Sequence, residues 1–548
     1  SAVFFFNILS LQMSEEPKSY HIFYFPFIVK HGGAENAIVK ALNSSNFGKL
    51  WKRVPQVYKT EEYYDEKMYY HHFVHNALYD NGKNLFYTTF SQKKKESNSD
   101  YSLVLHFERT DVLSNQLKFR IKAKGEELFN LDIDKITLDY YFTNIGILSL
   151  YINNDKYLSQ QDILDINYYG RALYNLIDKE KICNAIYGPK YETLKYDIGH
   201  QELYNLYGHI RQVLDEFFVE AKINVSSVQY LPVFDNKMFV NCCYLNSELS
   251  NKYKKDSIQD LSDEMFWQNY VEIDHDCDFG CQNFEMRKSL TQKDSYLRWQ
   301  GYGTLYGITD RSFVCLCSSE SFSKTALLPH MQTIYSQMVK LVLVQRASLL
   351  AFSDSISRVN FNIDNIEAAD IIGNIYRNYI VYIKKLYFVN VTSQVQGVEL
   401  YEKLHNTFNI KEHIESFDNE LSKMNIYLSS LKDSEKRESQ NNLFNLLAGL
   451  FLPATLVSGI LGMNNILTDN KFFIGKWGVT FYEKRYILHD LAIVLLASMI
   501  FWLIMVVSNK TAKSIVRSNR IASIIVAILT LAFFVICLLF SINWYIEK

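Results

Sequence analysis

Glycine and proline are scarce in this chain, 21 and 7 residues among 548. So few breakers exclude collagen-like and Pro/Gly-rich low-complexity architectures and predict long, uninterrupted elements. An excess of either charge is also missing: 57 basic against 59 acidic side chains leave a net charge of −2. That balance implies neither a nucleic-acid partner nor an anionic surface. The glycines at 301, 303 and 307 in GYGTLYG lack the GK[ST] ending of a phosphate-binding loop. YYHHFVHNAL puts His71 and His75 one helical turn apart but lacks the HExxH glutamate of a metalloprotease. No serine, histidine and acid spacing marks a hydrolase, so no enzymatic activity is expected. None of the eight cysteines falls in a C-x2-C knuckle, and in a mainly cytosolic chain reduced thiols are the expectation. Residues 1–12 lack the basic stretch and small-residue cleavage site of a signal peptide, which makes Met13 a candidate start.

What is present falls into three parts. Residues 1–322 mix apolar and polar positions and read as a cytosolic α/β sensing domain. Its strand-like runs are YHIFYFPFIV (20–29), SLVLHFE (102–108), LKFRIKA (117–123) and ILSLYI (147–152), and DILDINYYGRALYNLI (162–177) has helical spacing. Residues 323–441 carry three long helical patterns, about 324–358, 362–389 and 398–441, which read as stalk helices. In the last, Ile414, Phe417, Leu421, Met424, Leu428 and Leu431 recur by three and four residues, the seam of a coiled coil. Uninterrupted to residue 462, that helix would be a rod on the order of 95 Å long. Past Leu431 the seam positions become Glu435, Glu438 and Asn442, a hydrated inner mouth on this reading.

Residues 442–548 hold three apolar runs, 443–462, 491–507 and 521–543, each near the roughly 20 residues that cross a bilayer core as a helix. Lys510, Lys513, Arg517 and Arg520, with no acid between them, would stay in the cytoplasm. The expected fold class is therefore an α/β cytosolic domain, long stalk helices and a C-terminal α-helical transmembrane domain. The expected location is the cell inner (plasma) membrane, with lipids as partners and the N-terminal region cytoplasmic. Asn441, Phe444, Ala448, Leu452, Thr455, Gly459 and Gly462 share one face of the first run, which ends on Gly462, Met463 and Asn464. Small residues on such a face also suit close helix packing. A ring of amide oxygens at the helix end suits a hydrated Mg²⁺, which gives up its waters reluctantly.

Residues 442–464, with FLPATLVSGILGMN at their core, resemble the CorA family of divalent-cation channels, whose hallmark is GMN closing the first membrane helix. The resemblance implies a homo-oligomer, a pentamer, with Gly462, Met463 and Asn464 as selectivity filter. It places Thr455, Leu452, Phe444 and Asn441 down the pore, with Leu452 and Phe444 as gating rings. Mg²⁺ or another divalent cation would be the permeant or regulatory ion. Leu461 stands where the family has an aromatic residue, and the 465–490 loop mixes acids with lysines and arginine where the family's is acidic.

The soluble part is longer than such a channel needs. TNIGILSLYIN (143–153), DILDIN (162–167) and GYGTLYGITDRSFV (301–314) are similar to segments of the large CorA-like effectors associated with type III CRISPR systems. That resemblance implies gating by a nucleotide second messenger such as adenylated S-adenosylmethionine. Arg298, Trp299 and Tyr302 are the candidate ligand-binding residues, beside glycines that let a ligand approach the backbone. The plainer reading of GYGTLYG is a β-hairpin turning at 310–312. Two alternatives to the gated effector remain, a constitutive Mg²⁺-regulated transporter and a membrane-anchored receptor without a conducting pore. His275, Cys277, Cys281, Cys315 and Cys317 form a candidate zinc set if EIDHDCDFGC and FVCLC lie on neighbouring strands.

Overall fold

A computed structural model describes most of residues 18–430, with gaps at 32–36, 56–65, 86–100, 174–182, 188–207, 276–279 and 360–364 and some shorter ones. Beyond these it describes isolated helical positions to 444 and the residue pairs 467–468 and 471–472. The chain divides into two units, residues 1–363 with 367–423, and residues 364–366 with 424–548.

The first unit is organised by one twelve-stranded sheet. Its strands are β1 (Lys18–His31), β2 (Trp51–Arg53), β3 (Val104–Arg109), β4 (Lys118–Ala123), β5 (Glu126–Tyr141) and β6 (Ile145–Asn154). They continue as β7 (Cys183–Tyr187), β8 (Val228–Pro232), β9 (Phe239–Leu245), β10 (Ser295–Tyr296), β11 (Leu305–Ile308) and β12 (Ser312–Cys317). The spatial order is β10-β11-β12-β9-β1-β6-β5-β3-β2. Two long strands each carry two short ones along a single edge. β1 pairs β9 through Lys18–Tyr24 and β8 through Phe27–His31, and β5 pairs β4 in its first half and β3 in its second. Among the named strands of this sheet every pairing is antiparallel except β12 with β9, so the α/β expectation is corrected to a mixed, mainly antiparallel sheet. The four strand-like runs named from the sequence fall on β1, β3, β4 and β6. The helical run 162–177 falls in part on the helix Gln160–Gly170, which a Ser159–Asp162 capping box starts and which ends before 171–173; 174–177 lie outside the described residues.

Both sheet faces are covered, which is why β6, β9 and β12 are buried almost continuously instead of alternately. On one face Tyr24 donates to Ser336 Oγ at 2.7 Å, seating the helix Ile334–Ser357. On the opposite face Phe23 packs on Gly170; a Cβ there would lie 2.6 Å from the Phe23 ring. The glycine is the close approach that lets the 160–170 helix reach the sheet.

The helix Ile334–Ser357 is the longest the structure assigns, yet it carries Gln337, Lys340, Gln345 and Arg346 and is sealed against β1 and β6. Among the described residues no helix is long and apolar enough to cross a membrane. That finding corrects the expected fold class with its C-terminal transmembrane domain. It equally corrects the reading of the chain as a membrane protein and ion channel with transmembrane helices at the inner membrane. The runs 443–462, 491–507 and 521–543 lie outside the described residues.

The long last helix is corrected as well. Val395–Thr407 is one helix; Asn409 then takes φ +49°, and a second helix begins at 410. Asparagine tolerates that left-handed geometry, so it breaks the rod without glycine or proline. The seam beyond it is buried within the chain: Phe417 lies 4.7 Å from the Tyr379 ring of the helix Asn365–Lys385 and 6.0 Å from Phe352. Leu428 and Leu431 lie outside the described side chains. In the second unit the strands Leu467–Thr468 and Lys471–Phe472 pair antiparallel.

Candidate functional site

The loop between β10 and β11 is held from behind by the helix Ser247–Tyr253. Gln300 Nε2 donates to the carbonyls of Tyr253 at 2.9 Å and Asp256 at 2.7 Å, and Ser250 Oγ donates to that of Gly303 at 2.8 Å. Gly303 has φ +77°, and an added Cβ would stand 2.1 Å from Ser250 Oγ. Glycine is required there for both backbone and space. Gly301, by contrast, has no atom within 4 Å of such a Cβ.

So pinned, the loop turns three side chains toward the helix Val395–Thr407. Arg298 donates to Glu399 Oε1 at 2.6 Å, Tyr296 donates to Glu399 Oε2, and Trp299 Nε1 donates to Gln396 Oε1 at 2.7 Å. Gln396 in turn donates to the Tyr335 hydroxyl at 2.8 Å, which ties the same junction to the 334–357 helix. The outer surface stays accessible, with Trp299 38% and Tyr302 76% exposed and their rings 6.1 Å apart. The Arg298 guanidinium lies 5.8 Å from the Trp299 ring. An exposed pair of aromatics beside a guanidinium can stack a planar base and meet a phosphate, the chemistry by which proteins take up nucleotides without base-specific pairing.

Beside β10 lies a shallow, half-open indentation lined by Trp267, Gln268, Glu272, Thr291, Asp294 and Ser295 among others. Burial, and then the neighbouring Asp294 carboxylate, push the Glu272 carboxyl up to about 7. Burial also raises Asp294. Lys403 of the 395–407 helix donates to the Lys293 carbonyl beside it. The 295–302 segment and its surroundings therefore meet the 395–407 helix at residues 396, 399 and 403.

Of the candidate ligand residues, Arg298, Trp299 and Tyr302 are brought together. The GYGTLYG segment does enter a hairpin, β11 to β12, with Thr309 and Ser312 hydroxyls 2.9 Å apart at its turn. The candidate zinc set is not assembled as expected among the described residues: 272–275 are a helix end and turn instead of a strand. His275 sits against the rings of Tyr168 and Tyr169 at 4.2 and 5.2 Å, Cys281 donates to the Asn283 carbonyl at 3.5 Å, and Cys277 lies outside the described residues. Cys315 and Cys317 instead meet Cys243. Sequence reasoning missed Cys243, Gln396 and Glu399. The paired cysteines of FVNCCYL and the alternate spacing of CLC were signals for the first, whereas nothing local marks the other two.

Of the candidate pore set, Phe444 and Asn441 are exposed helical positions. Ala448, Leu452, Thr455, Gly459, Gly462, Met463, Asn464, Glu435, Glu438 and Asn442 lie outside the described residues. No protein-family model, curated protein or solved structure matches this chain.

Proposed function

We propose that the chain is a homo-oligomeric, ligand-responsive protein whose sheet domain senses an anionic small molecule of the nucleotide class. The observation that carries this reading is the sharing of Glu399 by Arg298 and Tyr296 next to an exposed aromatic pair. A phosphate arriving on the Trp299 and Tyr302 surface competes with Glu399 for the Arg298 guanidinium. Loss of that partner loosens the 295–302 loop from the 395–407 helix, and the helix moves. The ligand drives the change to the extent that it binds the released state more tightly than the latched one.

The nucleotide identity rests on the resemblance of 143–153, 162–167 and 301–314 and on the stacking chemistry. The experiment is isothermal titration of the full chain with adenylated S-adenosylmethionine and, separately, with cyclic oligoadenylates. Binding to one of them that is lost in Arg298→Ala and Trp299→Ala supports the reading. Binding to neither, by a chain that is folded and oligomeric, removes it.

A further inference from the structure

Three cysteines meet in the centre of the sheet. β9 and β12 are parallel neighbours in a register that sets Cys243 beside Cys315, with Cys317 two residues further along the same face. The Sγ atoms of Cys243, Cys315 and Cys317 all lie within 4.8 Å of one another, and all three residues are buried, at 1%, 0% and 0% exposure. The face is the one covered by the 334–357 helix. Asn241, two residues before Cys243, donates to Tyr24 on that side, and Phe313, two before Cys315, packs 5.9 Å from Tyr335. Cys242 points the other way, its sulfur 3.4 Å from His21 Nδ1.

We propose that Cys243, Cys315 and Cys317 form a structural zinc site. Zinc–sulfur bonds of about 2.3 Å in tetrahedral arrangement place sulfurs about 3.8 Å apart, so the cluster needs only a small contraction. Strand pairing fixes the three Cβ atoms, and the site is thus preorganised by backbone hydrogen bonds instead of by loops. Ser323 follows β12 and is buried against the same cluster, with its hydroxyl 3.3 Å from that of Ser318. It offers a neutral oxygen as fourth ligand.

Charge selects the ion among thiophilic cations. Three thiolates around Zn²⁺ leave one net negative charge, around Cu⁺ two, and buried uncompensated charge is costly. Binding releases the three thiol protons to solvent, with no change in oxidation state. The site is independent of the nucleotide reading, since it lies in the sheet interior and not at the exposed loop.

The test is metal analysis of the purified full chain by inductively coupled plasma mass spectrometry, before and after refolding with Zn²⁺. The expected result is about one zinc per chain, retained in Cys242→Ser and lost in Cys317→Ser. Refolding with Co²⁺ should give the near-ultraviolet thiolate-to-metal charge-transfer band, and chelator should lower the melting temperature. A wild-type chain holding no more metal than the buffer, with every thiol titrating as free after unfolding, overturns the proposal. So does copper in place of zinc, or full zinc content in Cys317→Ser. The wild-type measurement decides even if a variant fails to fold.

Discussion

Lys340 Nζ lies 2.7 Å from Asp139 Oδ2 between the 334–357 helix and β5, with side-chain exposures of 1% and 3%. Asp139 also accepts from, or shares a proton with, His106 Nδ1 at 2.6 Å. Burial alone raises an acid, but Lys340 and His106 outweigh it and hold the Asp139 carboxyl well below the usual carboxylate range. Burial lowers Lys340, and Asp139 with Tyr151 and Tyr24 outweighs that and holds it well above the usual lysine range. Helix and sheet are thereby set in one register, since any slip would strand a charge among apolar groups.

Lys340→Met should therefore destabilise the first unit by about 3–5 kcal/mol in urea unfolding, because it leaves the Asp139 carboxylate buried without its main partner. Lys340→Met with Asp139→Asn should recover part of that. The pair's stability is present at neutral pH. It falls in acid, as pH drops below the unfolded carboxylate value near 4 toward the depressed folded one, and in strong base, as pH rises through the raised lysine value. A single variant within about 1 kcal/mol of wild type would place the pair in water and not in the core.

Glu272 gives the opposite slope. Its folded pKa, about 7, stands above that of an unfolded glutamate, so the folded state holds a proton that the unfolded chain has released between roughly pH 4.5 and 7. Stability falls as pH rises through that window and the cost is fully present above it. Glu272→Gln should raise stability by about 1–2 kcal/mol at pH 8 and make little difference at pH 4.5. Melting curves at the two pH values decide it; an equal shift at both would assign the effect to packing.

Legibility in the sequence followed locality. β1, β3, β4, β6 and the 160–170 helix were readable because aromatic and β-branched runs, or a cap and a period, state them within a few residues. The sheet's antiparallel character was not, since pairing between β1 and β6 joins residues over a hundred positions apart. The single long stalk failed for a different reason: Asn409 breaks it with a backbone conformation that composition does not announce. At the candidate site Arg298, Trp299 and Tyr302 stood out as a local cluster, but Glu399 and Gln396 come from a helix about a hundred residues away. Cys315 and Cys317 were seen without Cys243, because only the β9–β12 register supplies the third sulfur.

Within the glycine segment the structure separates two positions with the same sequence context. A Cβ at Gly307 would lie 2.3 Å from Val271, whereas one at Gly301 would meet nothing within 4 Å. Gly307→Ala should cost about 1–3 kcal/mol through overpacking, while Gly301→Ala should leave the denaturation midpoint within error. Equal effects would contradict the packing of the helix Met265–Glu272 on β11.

The last prediction concerns the latch. Arg298 and Glu399 are 40% and 38% exposed at the side chain, so their ion pair is worth at most about 1 kcal/mol to global stability. Arg298→Ala should hardly move the unfolding midpoint. Its effect belongs to local opening: without Arg298, Glu399 keeps only Tyr296 of its two partners from the loop, and Gln396 keeps Trp299. Amide hydrogen exchange over 395–407 should accelerate severalfold while the sheet strands stay protected, since local opening is governed by local contacts and not by the global free energy. Glu399→Gln should act in the same direction, because it removes the charge but retains an acceptor. Unchanged exchange in both variants would show that the loop does not restrain the helix, and the proposed release of that helix by an anion would lose its mechanism.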